Sequence, residues 1–370
     1  MIFEPRFTIT PLIAKQLMAI ERQREAIAVS PVSAAVIVSL HEKAQLLSIQ
    51  SSAQIGGYEI SENTVKQLIS GKDSMTDKEK EMHHYFKAMD YVSQECRKKF
   101  IIDDRLISNI NSLVFTGAKI NSPYRNFQNP IEYKAVETIS YTPPMSEDVG
   151  PLMEGLIKWI TQSITADQLP APIIAGIVHF QFVAIHPFYD GNGRTARLLA
   201  SYILCITGYG LQGMYSLEQY YAKDIQTYFN ALLIEDEYNY QSGAGATDIT
   251  PFLEYFLKGL AFSFEGARKK AHQLNMEEYY KSLPQQTERI RKLNPLQKKT
   301  LTLFQKQREV SLTHFSQFLK LKPRRAYALL KKWLDEGFIQ VGNTSKKART
   351  YLLTAEWEQI VVDSKKEQFS

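Results

Sequence analysis

The 370-residue sequence predicts a mostly α-helical protein with a short β-hairpin near its middle and a smaller C-terminal module. First, apolar residues recur at helical spacing over most of the chain. Second, between about 119 and 145 prolines break helices, and apolar residues alternate with polar ones as in strands. Third, residues 295–358 have a pattern of their own, with three short helices followed by two alternating segments.

The composition is that of an ordinary globular protein, with 44% hydrophobic and 22% charged residues, and the length suggests two or three domains. The net charge of +5 permits an anionic partner without requiring one. No apolar run is long enough for a membrane span, and the first residues do not resemble a signal peptide. Cys96 and Cys205 make neither a disulfide framework nor a zinc site, so we expect a reducing, cytoplasmic location.

Residues 1–100 predict an N-terminal helical extension. A loop is expected at 51–60, where Ser51 and Ser52 end a helix and Gly56-Gly57 form a turn. The helices predicted here run over Pro11–Ala26, Pro31–Ile49 (capped by Ser30) and Asp77–Lys99.

Residues 101–264 predict a second helical domain that contains the hairpin. From the residues alone, that hairpin is either an ordinary connection or an extended flap. The helices expected around it cover Asp104–Phe115, Asp148–Ser163, 173–185, 198–206, Lys223–Glu235 and a segment that begins at Thr250.

The C-terminal part predicts a charged helical connector at 265–294 and a winged helix-turn-helix domain at 295–358. Basic residues on its third helix and hairpin favour contacts with DNA phosphates. A structural or protein-binding winged helix with a solvated basic face explains them equally well. These residues are Arg324, Arg325, Lys331 and Lys332 on the helix, and Lys346, Lys347 and Arg349 on the wing.

The run HPFYDGNGRTAR, residues 186–197, carries the chemistry of the chain. Gly191 and Gly193 flank Asn192, which allows a backbone nest of N–H groups at the start of the next helix. Arg194 and Arg197 share one face of that helix's first turn, which suits an anion lying between them.

Two further residues of this run indicate a bound cation and a general base. Asp190 has the wrong charge for a phosphate unless a hard cation such as Mg2+ lies between them. His186 is the nearby side chain able to take a proton near neutral pH. The run therefore predicts a triphosphate-and-metal site with a general base at its edge. A helix-turn-helix corner with solvated charges is the alternative.

The same run resembles the Fic-domain signature, HPFx(D/E)GNGRxxR, at every defined position. The resemblance covers roughly residues 1–260 in layout but is tight only in the signature. It implies a protein adenylyltransferase (an AMPylation enzyme) that transfers AMP from Mg-ATP to a Ser, Thr or Tyr hydroxyl of a target protein, with self-modification included.

The resemblance also implies roles for single residues. His186 deprotonates the target hydroxyl, Asp190 holds Mg2+ and Phe188 anchors the loop as a buried residue. The ATP phosphates are bound by Gly191, Asn192, Gly193, Arg194 and Arg197, the last on the γ-phosphate. Tyr221 and Tyr228 are candidates for the nucleobase pocket, although aromatic residues at this spacing more often pack in a core.

Many Fic proteins carry an inhibitory helix, (S/T)xxxE(G/N), whose glutamate pairs with the second signature arginine. Residues 52–57 fit this pattern except that Gly56 stands where the glutamate belongs. We therefore expect no glutamate clamp on Arg197, whether the glycine is natural or introduced. The family's flap, which binds the target peptide by strand addition, corresponds to about 123–141.

Two other functions remain open at this point. Some Fic relatives use the same loop for other phosphate transfers, such as phosphorylation. Alternatively, the chain is a DNA-binding transcriptional regulator whose Fic domain senses a nucleotide, although sensing alone does not need His186. A homo-oligomer is compatible with each of these functions.

Overall fold

The computed structural model describes residues 3–29, 32–71, 74–98, 100–128, 131–132, 140–233, 247–282, 290, 292–343, 349–358 and 361. The chain divides into two compact units, Met1–Gln273 and Leu274–Ser370. Each unit has its own hydrophobic core. Within the described ranges, none of the helices combines the length and the apolar character needed to cross a bilayer.

The first unit is helical, and its early helices begin at polar residues that cap them. Thr10, Ser33, Ser61, Thr76 and Asp103 each accept a hydrogen bond from a backbone N–H of the first turn, which the helix itself cannot satisfy. The helices are α1 (Pro11–Ala28), α2 (Ala34–Ile55), α3 (Glu62–Ile69), α4 (Asp77–Glu95), α5 (Asp104–Thr116), α6 (Ser146–Ala166), α7 (Ala171–Ile185), α8 (Asn192–Leu204), α9 (Glu218–Lys223), α10 (Ile225–Leu232) and α11 (Thr250–Ser282).

The central helix of this unit is α7, which is apolar on every side. Every residue from Pro172 to Ile185 is buried, as expected for a helix without a polar face. Its neighbours α6 and α8 pack against it. A Cβ atom on Gly176 would lie 2.8 Å from Leu253 and 3.0 Å from Phe256, so glycine permits the close approach of α11. This packing gives the last turn of α7, where the site begins, a rigid support.

The second helix, α2, differs from the expectation at both ends. Its N-cap is Ser33, whereas the expected cap at residues 30–31 lies outside the described residues. The loop predicted from residue 51 is wrong up to Ile55, because Ser51, Ser52 and Ala53 are buried and this burial outweighs the modest helix propensity of serine. The turn at Gly56-Gly57 is confirmed, with a left-handed φ of 83° at Gly57.

The predicted hairpin is present between α5 and α6. Strand β1 (Ile131–Glu132) pairs antiparallel with β2 (Ser140–Tyr141), with Ile131 opposite Tyr141. Residues 133–139, which belong to the predicted flap, lie outside the described residues. The Tyr141 hydroxyl donates to the Ala184 carbonyl at 2.7 Å, which attaches the base of the hairpin to α7.

Between residues 295 and 353 the second unit has three helices and a three-stranded antiparallel sheet in the order β3-β5-β4. Trp333 is fully buried and lies edge-on against Phe315 and Phe338. The predicted fold class is therefore confirmed. Strand β3 was not predicted, because two residues are too few to show an alternation of apolar and polar side chains. The elements are α12 (Pro295–Lys306), β3 (Val310–Ser311), α13 (Leu312–Leu319), α14 (Pro323–Asp335), β4 (Ile339–Val341) and β5 (Thr350–Leu353). The wing residues Lys346 and Lys347 lie outside the described residues.

Candidate active site

The site begins at His186, the residue that ends α7. His186 has left-handed backbone angles (φ 50°, ψ 59°), and its N–H donates to the Phe182 carbonyl. Its Nδ1 lies 3.3 Å from the Val183 carbonyl oxygen, which can only accept, so in the neutral ring Nδ1 carries the proton. The other nitrogen, Nε2, is then the basic one. The turn at the end of α7 thus sets both the direction and the tautomer of the imidazole.

The environment of His186 favours its neutral form. Burial, followed by the positive charge of Arg125, lowers the pKa of His186 to about 4, against the opposing effects of the Val183 carbonyl and Asp190. At neutral pH the imidazole is therefore unprotonated and able to accept a proton.

The loop after His186 is closed by its own side chains. The Asn192 amide accepts from the N–H of Phe188 at 2.9 Å and donates to the carbonyl of the same residue at 2.8 Å. Phe188 is buried and packs against Phe182 and Tyr124, consistent with the anchor that the resemblance implies. Because these two hydrogen bonds occupy the Asn192 side chain, the backbone N–H groups of the loop are the groups available to a phosphate.

A second device holds the start of α8. Asn111 of α5 donates to the Asp190 carbonyl at 2.8 Å and to the Thr195 hydroxyl at 3.2 Å. Gly191 has a φ of 75°, and a Cβ there would come within 2.9 Å of Val114, so α5 leaves room only for glycine. The Asp190 carboxylate stays exposed to 62% and accepts the Gly191 N–H.

The two signature arginines have different partners. Arg194 forms an ion pair with Glu81 of α4, and its Nη2 lies 3.8 Å from Asp190. Arg197 is buried, and its Nη2 donates to the Ser52 hydroxyl of α2 at 2.9 Å, while its Nε has no partner among the described residues.

The charge of Arg197 is supported by hydroxyl groups and by one more distant carboxylate. Burial lowers its pKa, but Tyr85, Tyr228 and Glu218 outweigh this, so the pKa of Arg197 is raised overall. Glu218 is itself buried and accepts hydrogen bonds from Tyr85 at 2.7 Å and Ser48 at 2.9 Å. Arg197 therefore stays charged, although no carboxylate within the described part of the chain contacts it directly.

The two candidate nucleobase residues do not occupy equivalent places. Tyr221 and Tyr228 stack with their ring centroids 4.6 Å apart, and the Tyr228 hydroxyl lies 3.0 Å from Nε2 of the buried His179. Both rings are almost fully buried. Tyr228 lines the site cavity, whereas Tyr221 packs behind it and does not. The apolar residues that line the cavity beside Tyr228 are Ile55, Phe229 and Leu232.

A cavity of about 510 Å³ brings the signature residues together. It is large enough for a nucleotide-sized ligand. Each predicted site residue lines it except Tyr221, and Gly56 lies on its wall. The predicted members are His186, Phe188, Asp190, Gly191, Asn192, Gly193, Arg194, Arg197 and Tyr228.

Sequence reasoning missed three residues that act at this site. Glu81 and Arg125 line the cavity, and Asn111 braces the loop from outside it. None has a local sequence signal, because Glu81 lies in an amphipathic helix with many charges and the other two lie in segments without a motif. They are brought to the site by tertiary packing alone.

Comparisons with known proteins agree with this geometry. Residues 101–204 match the model of the Fic/DOC family. Protein adenylyltransferase Fic of Drosophila ananassae is 22% identical over 200 residues, or 53% of this chain, and the match spans only 39% of that relative's length.

The fold is similar to that of two solved structures. A Fic family protein from Desulfovibrio desulfuricans aligns with a TM-score of 0.58 and 20% identity, over 95% of this chain and 99% of that one. A Fic domain containing signaling protein from Bacteroides thetaiotaomicron aligns with a TM-score of 0.57 and 22% identity, over 71% of this chain and 98% of that one. Taken with the intact signature loop, these matches lead to one conclusion: residues 101–204 form a domain of the Fic/DOC family, and the chain is distantly similar to protein adenylyltransferases.

Proposed function

We propose that this protein transfers AMP from ATP to a hydroxyl group of a target protein and releases pyrophosphate. One observation carries the proposal: a neutral imidazole, two arginines and the glycine-flanked N-terminus of α8 line a single cavity. These are the groups that a phosphate-transfer reaction at neutral pH needs. The domain boundaries in the proposal are an N-terminal extension at 1–100, a catalytic domain at 101–264, a connector at 265–294 and a winged helix at 295–358.

In this reaction His186 is the general base. Its Nε2 takes the proton of the acceptor hydroxyl while the oxygen attacks the α-phosphorus. A bond forms between the acceptor oxygen and the α-phosphorus, and the bond from that phosphorus to the bridging oxygen of pyrophosphate breaks. A base whose pKa lies near 4 is a modest proton acceptor, so we expect orientation and charge neutralisation to provide most of the rate enhancement.

The arginines and the loop would bind the triphosphate. Backbone N–H groups at the start of α8, with the positive end of its dipole, suit the α- and β-phosphates. Arg197, whose neighbours here are hydroxyl groups, suits the γ-phosphate. Arg194 must first exchange Glu81 for a phosphate oxygen, since one guanidinium cannot serve both fully.

The carboxylate of Asp190 fits an Mg2+ ion. The described residues contain no cluster of three metal-binding side chains, and Mg2+ typically uses one or two carboxylates together with substrate phosphates and water. Asp190 would hold the ion from its exposed position at the mouth of the loop. When bound, Mg2+ supplies positive charge that neutralises the phosphate oxygens.

The test is incubation of the purified protein with α-labelled ATP and Mg2+, with His186→Ala as the control. We expect label on a target or on the protein itself, and we expect the control to remove it. Label carried only from the γ-position would favour phosphorylation instead. Absence of label from either position, with ATP bound, would refute the proposed transfer and favour a nucleotide sensor.

DNA binding is a second candidate function, and the exposed basic face of α14 favours it. Arg324, Arg325, Lys331 and Lys332 are all exposed on this helix, although Lys332 also lies 3.6 Å from Glu336. Electrostatic binding to DNA weakens steeply with salt. DNA binding that shows this salt dependence and is lost in Arg324→Gln/Arg325→Gln would support it, whereas binding unaffected by the substitutions would contradict it.

A further inference from the structure

A short segment before the flap hairpin lies beside the signature loop. Each of residues 124–127 makes at least one contact with residues 186–189. The Arg125 N–H donates to the Pro187 carbonyl at 2.9 Å, and the Tyr189 hydroxyl donates to the Asn126 side chain at 2.7 Å. Aromatic contacts frame them, with ring centroids 5.3 Å apart for Tyr124 and Phe188 and 5.0 Å apart for Phe127 and Tyr189.

The Arg125 side chain ties this segment to two others. It is only 6% exposed, and no ion pair with it occurs among the described residues. Its guanidinium donates instead to main-chain carbonyls and one side-chain amide. The acceptors are His186 O at 2.9 Å, Ile185 O at 3.4 Å, Phe127 O at 3.3 Å, Pro144 O at 2.5 Å and Gln128 Oε1 at 3.1 Å.

These acceptors belong to three places that must keep a fixed geometry. Two are carbonyls at the C-terminal end of α7, which lack partners inside the helix and favour a cation. Phe127 and Gln128 precede the hairpin, and Pro144 follows it. The Gln128 amide also donates to the Pro143 carbonyl at 2.6 Å, which joins the two ends of the hairpin directly.

His186 needs such support because its backbone is strained. A left-handed conformation in a residue other than glycine is unfavourable and persists only where the surroundings impose it. The hydrogen bond from Arg125 Nε to the His186 carbonyl, with that from its backbone N–H to the next carbonyl, imposes it here.

We propose that Arg125 is a positioning residue that fixes His186 and both ends of the flap hairpin as one rigid unit. This inference rests on the proposed AMP transfer, in which the flap brings the acceptor hydroxyl to the imidazole. Arg125 does not itself contact the reacting atoms. Its planar fork of five N–H donors reaches all three places at once, which a lysine ammonium on a flexible stem does not.

The first experiment compares Arg125→Gln and Arg125→Lys with the wild type. Arg105→Gln, at an exposed arginine of α5 outside the site, is the matched control. We expect Arg125→Gln to lower kcat for AMP transfer by about a hundredfold, because misplacement of a reacting group by about 1 Å costs that much. Arg125→Lys should lie between it and the wild type. The KM for ATP should stay within about twofold in both variants, because Arg125 contacts no residue proposed to bind the triphosphate.

A second measurement separates positioning from general damage and does not depend on activity. Burial is the main cause of the lowered pKa of His186, and the positive charge of Arg125 lowers it further, whereas Asp190 acts in the opposite direction. In an NMR titration without Mg2+, Arg125→Gln should raise the pKa of the His186 imidazole, while Arg125→Lys should leave it nearly unchanged. His186→Gln identifies the signal.

These outcomes distinguish the inference from the proposed function. If the wild-type protein transfers no AMP, the proposed function is refuted. The titration of the His186 imidazole then still tests whether Arg125 lies beside it. Wild-type kcat in Arg125→Gln, or an imidazole pKa identical in all variants, overturns the inference. A kcat that falls only in proportion to ATP affinity also overturns it, because that result places Arg125 in nucleotide binding.

Discussion

Replacing Gly56 by glutamate should place a carboxylate beside Arg197, where the described residues provide none in direct contact. Gly56 ends α2 with a φ of −77°, which any L-residue adopts, and a Cβ there would meet Ala53 O at 3.2 Å and the Tyr58 ring at 3.3 Å. It lies four residues after Ser52, on the same helix face, and Ser52 already contacts Arg197. A glutamate at position 56 can therefore approach the Arg197 guanidinium from the same side.

The expected size of the effect follows from the burial of Arg197. Its Nε has no partner among the described residues and the side chain is buried, so a carboxylate would gain a charge-assisted hydrogen bond there. Such bonds contribute about 1.5–3 kcal/mol. Because each 1.4 kcal/mol is a factor of ten, ATP should bind about 10- to 150-fold more weakly to Gly56→Glu.

The assay is ATP binding by calorimetry together with AMP transfer from α-labelled ATP. Gly56→Ala controls for the added Cβ, and Gly56→Gln has the shape of glutamate without its charge. We expect the loss only in Gly56→Glu, and we expect ADP, which lacks the γ-phosphate, to lose less affinity than ATP. Equal affinities and rates in all three variants would refute the reasoning that position 56 controls Arg197.

Three further results are expected. Glu81→Gln should bind ATP about fivefold more tightly, because it releases Arg194 from a partly exposed ion pair of about 1 kcal/mol; unchanged or weaker binding in calorimetry would contradict this. The kcat/KM for AMP transfer should stay constant from pH 8 to about 5 and fall only as His186 protonates near pH 4; a half-maximal rate near pH 6.5 would show that its pKa is not lowered. Burial, followed by the charge of Arg197, lowers the pKa of His179 in the folded protein to about 3. In the unfolded chain the pKa is near 6.5, so below that pH the unfolded chain binds one proton more than the folded protein. The free energy of unfolding should then fall by about 2 kcal/mol between pH 6.5 and 5, and His179→Phe should lose that part of the slope in denaturant titrations.

The geometry of the signature loop could be predicted because it depends on neighbouring residues. Each step of the run 186–197 has a local physical reason, such as a left-handed glycine, a helix N-terminus or two arginines one turn apart. Helix positions were predictable for the same reason, since they depend on caps and on apolar spacing within one segment. The burial of Phe188 followed from the resemblance rather than from a local physical reason.

Residues that depend on tertiary packing could not be predicted. Glu81 meets Arg194 across 113 positions of sequence, and Arg125 meets the His186 carbonyl across 61. The helix α2 continues through Ser51 and Ser52 because both are buried against neighbouring elements, which the local sequence does not reveal. Tyr221 and Tyr228 share a stack, and only the position of the cavity decides which of them reaches it.

The two arginines differ in what a bound anion would replace. Arg194 has an acidic partner from α4, so binding a phosphate there exchanges one negative group for another. Arg197 has hydroxyl partners, and its nearest support from a carboxylate passes through Tyr85 to the buried Glu218. Because a buried cation without a direct counter-charge is costly, an anion entering beside Arg197 recovers more free energy than one entering beside Arg194. In the proposed reaction we therefore expect the triphosphate to be bound most strongly at the Arg197 end of the cavity, which Gly56 also lines.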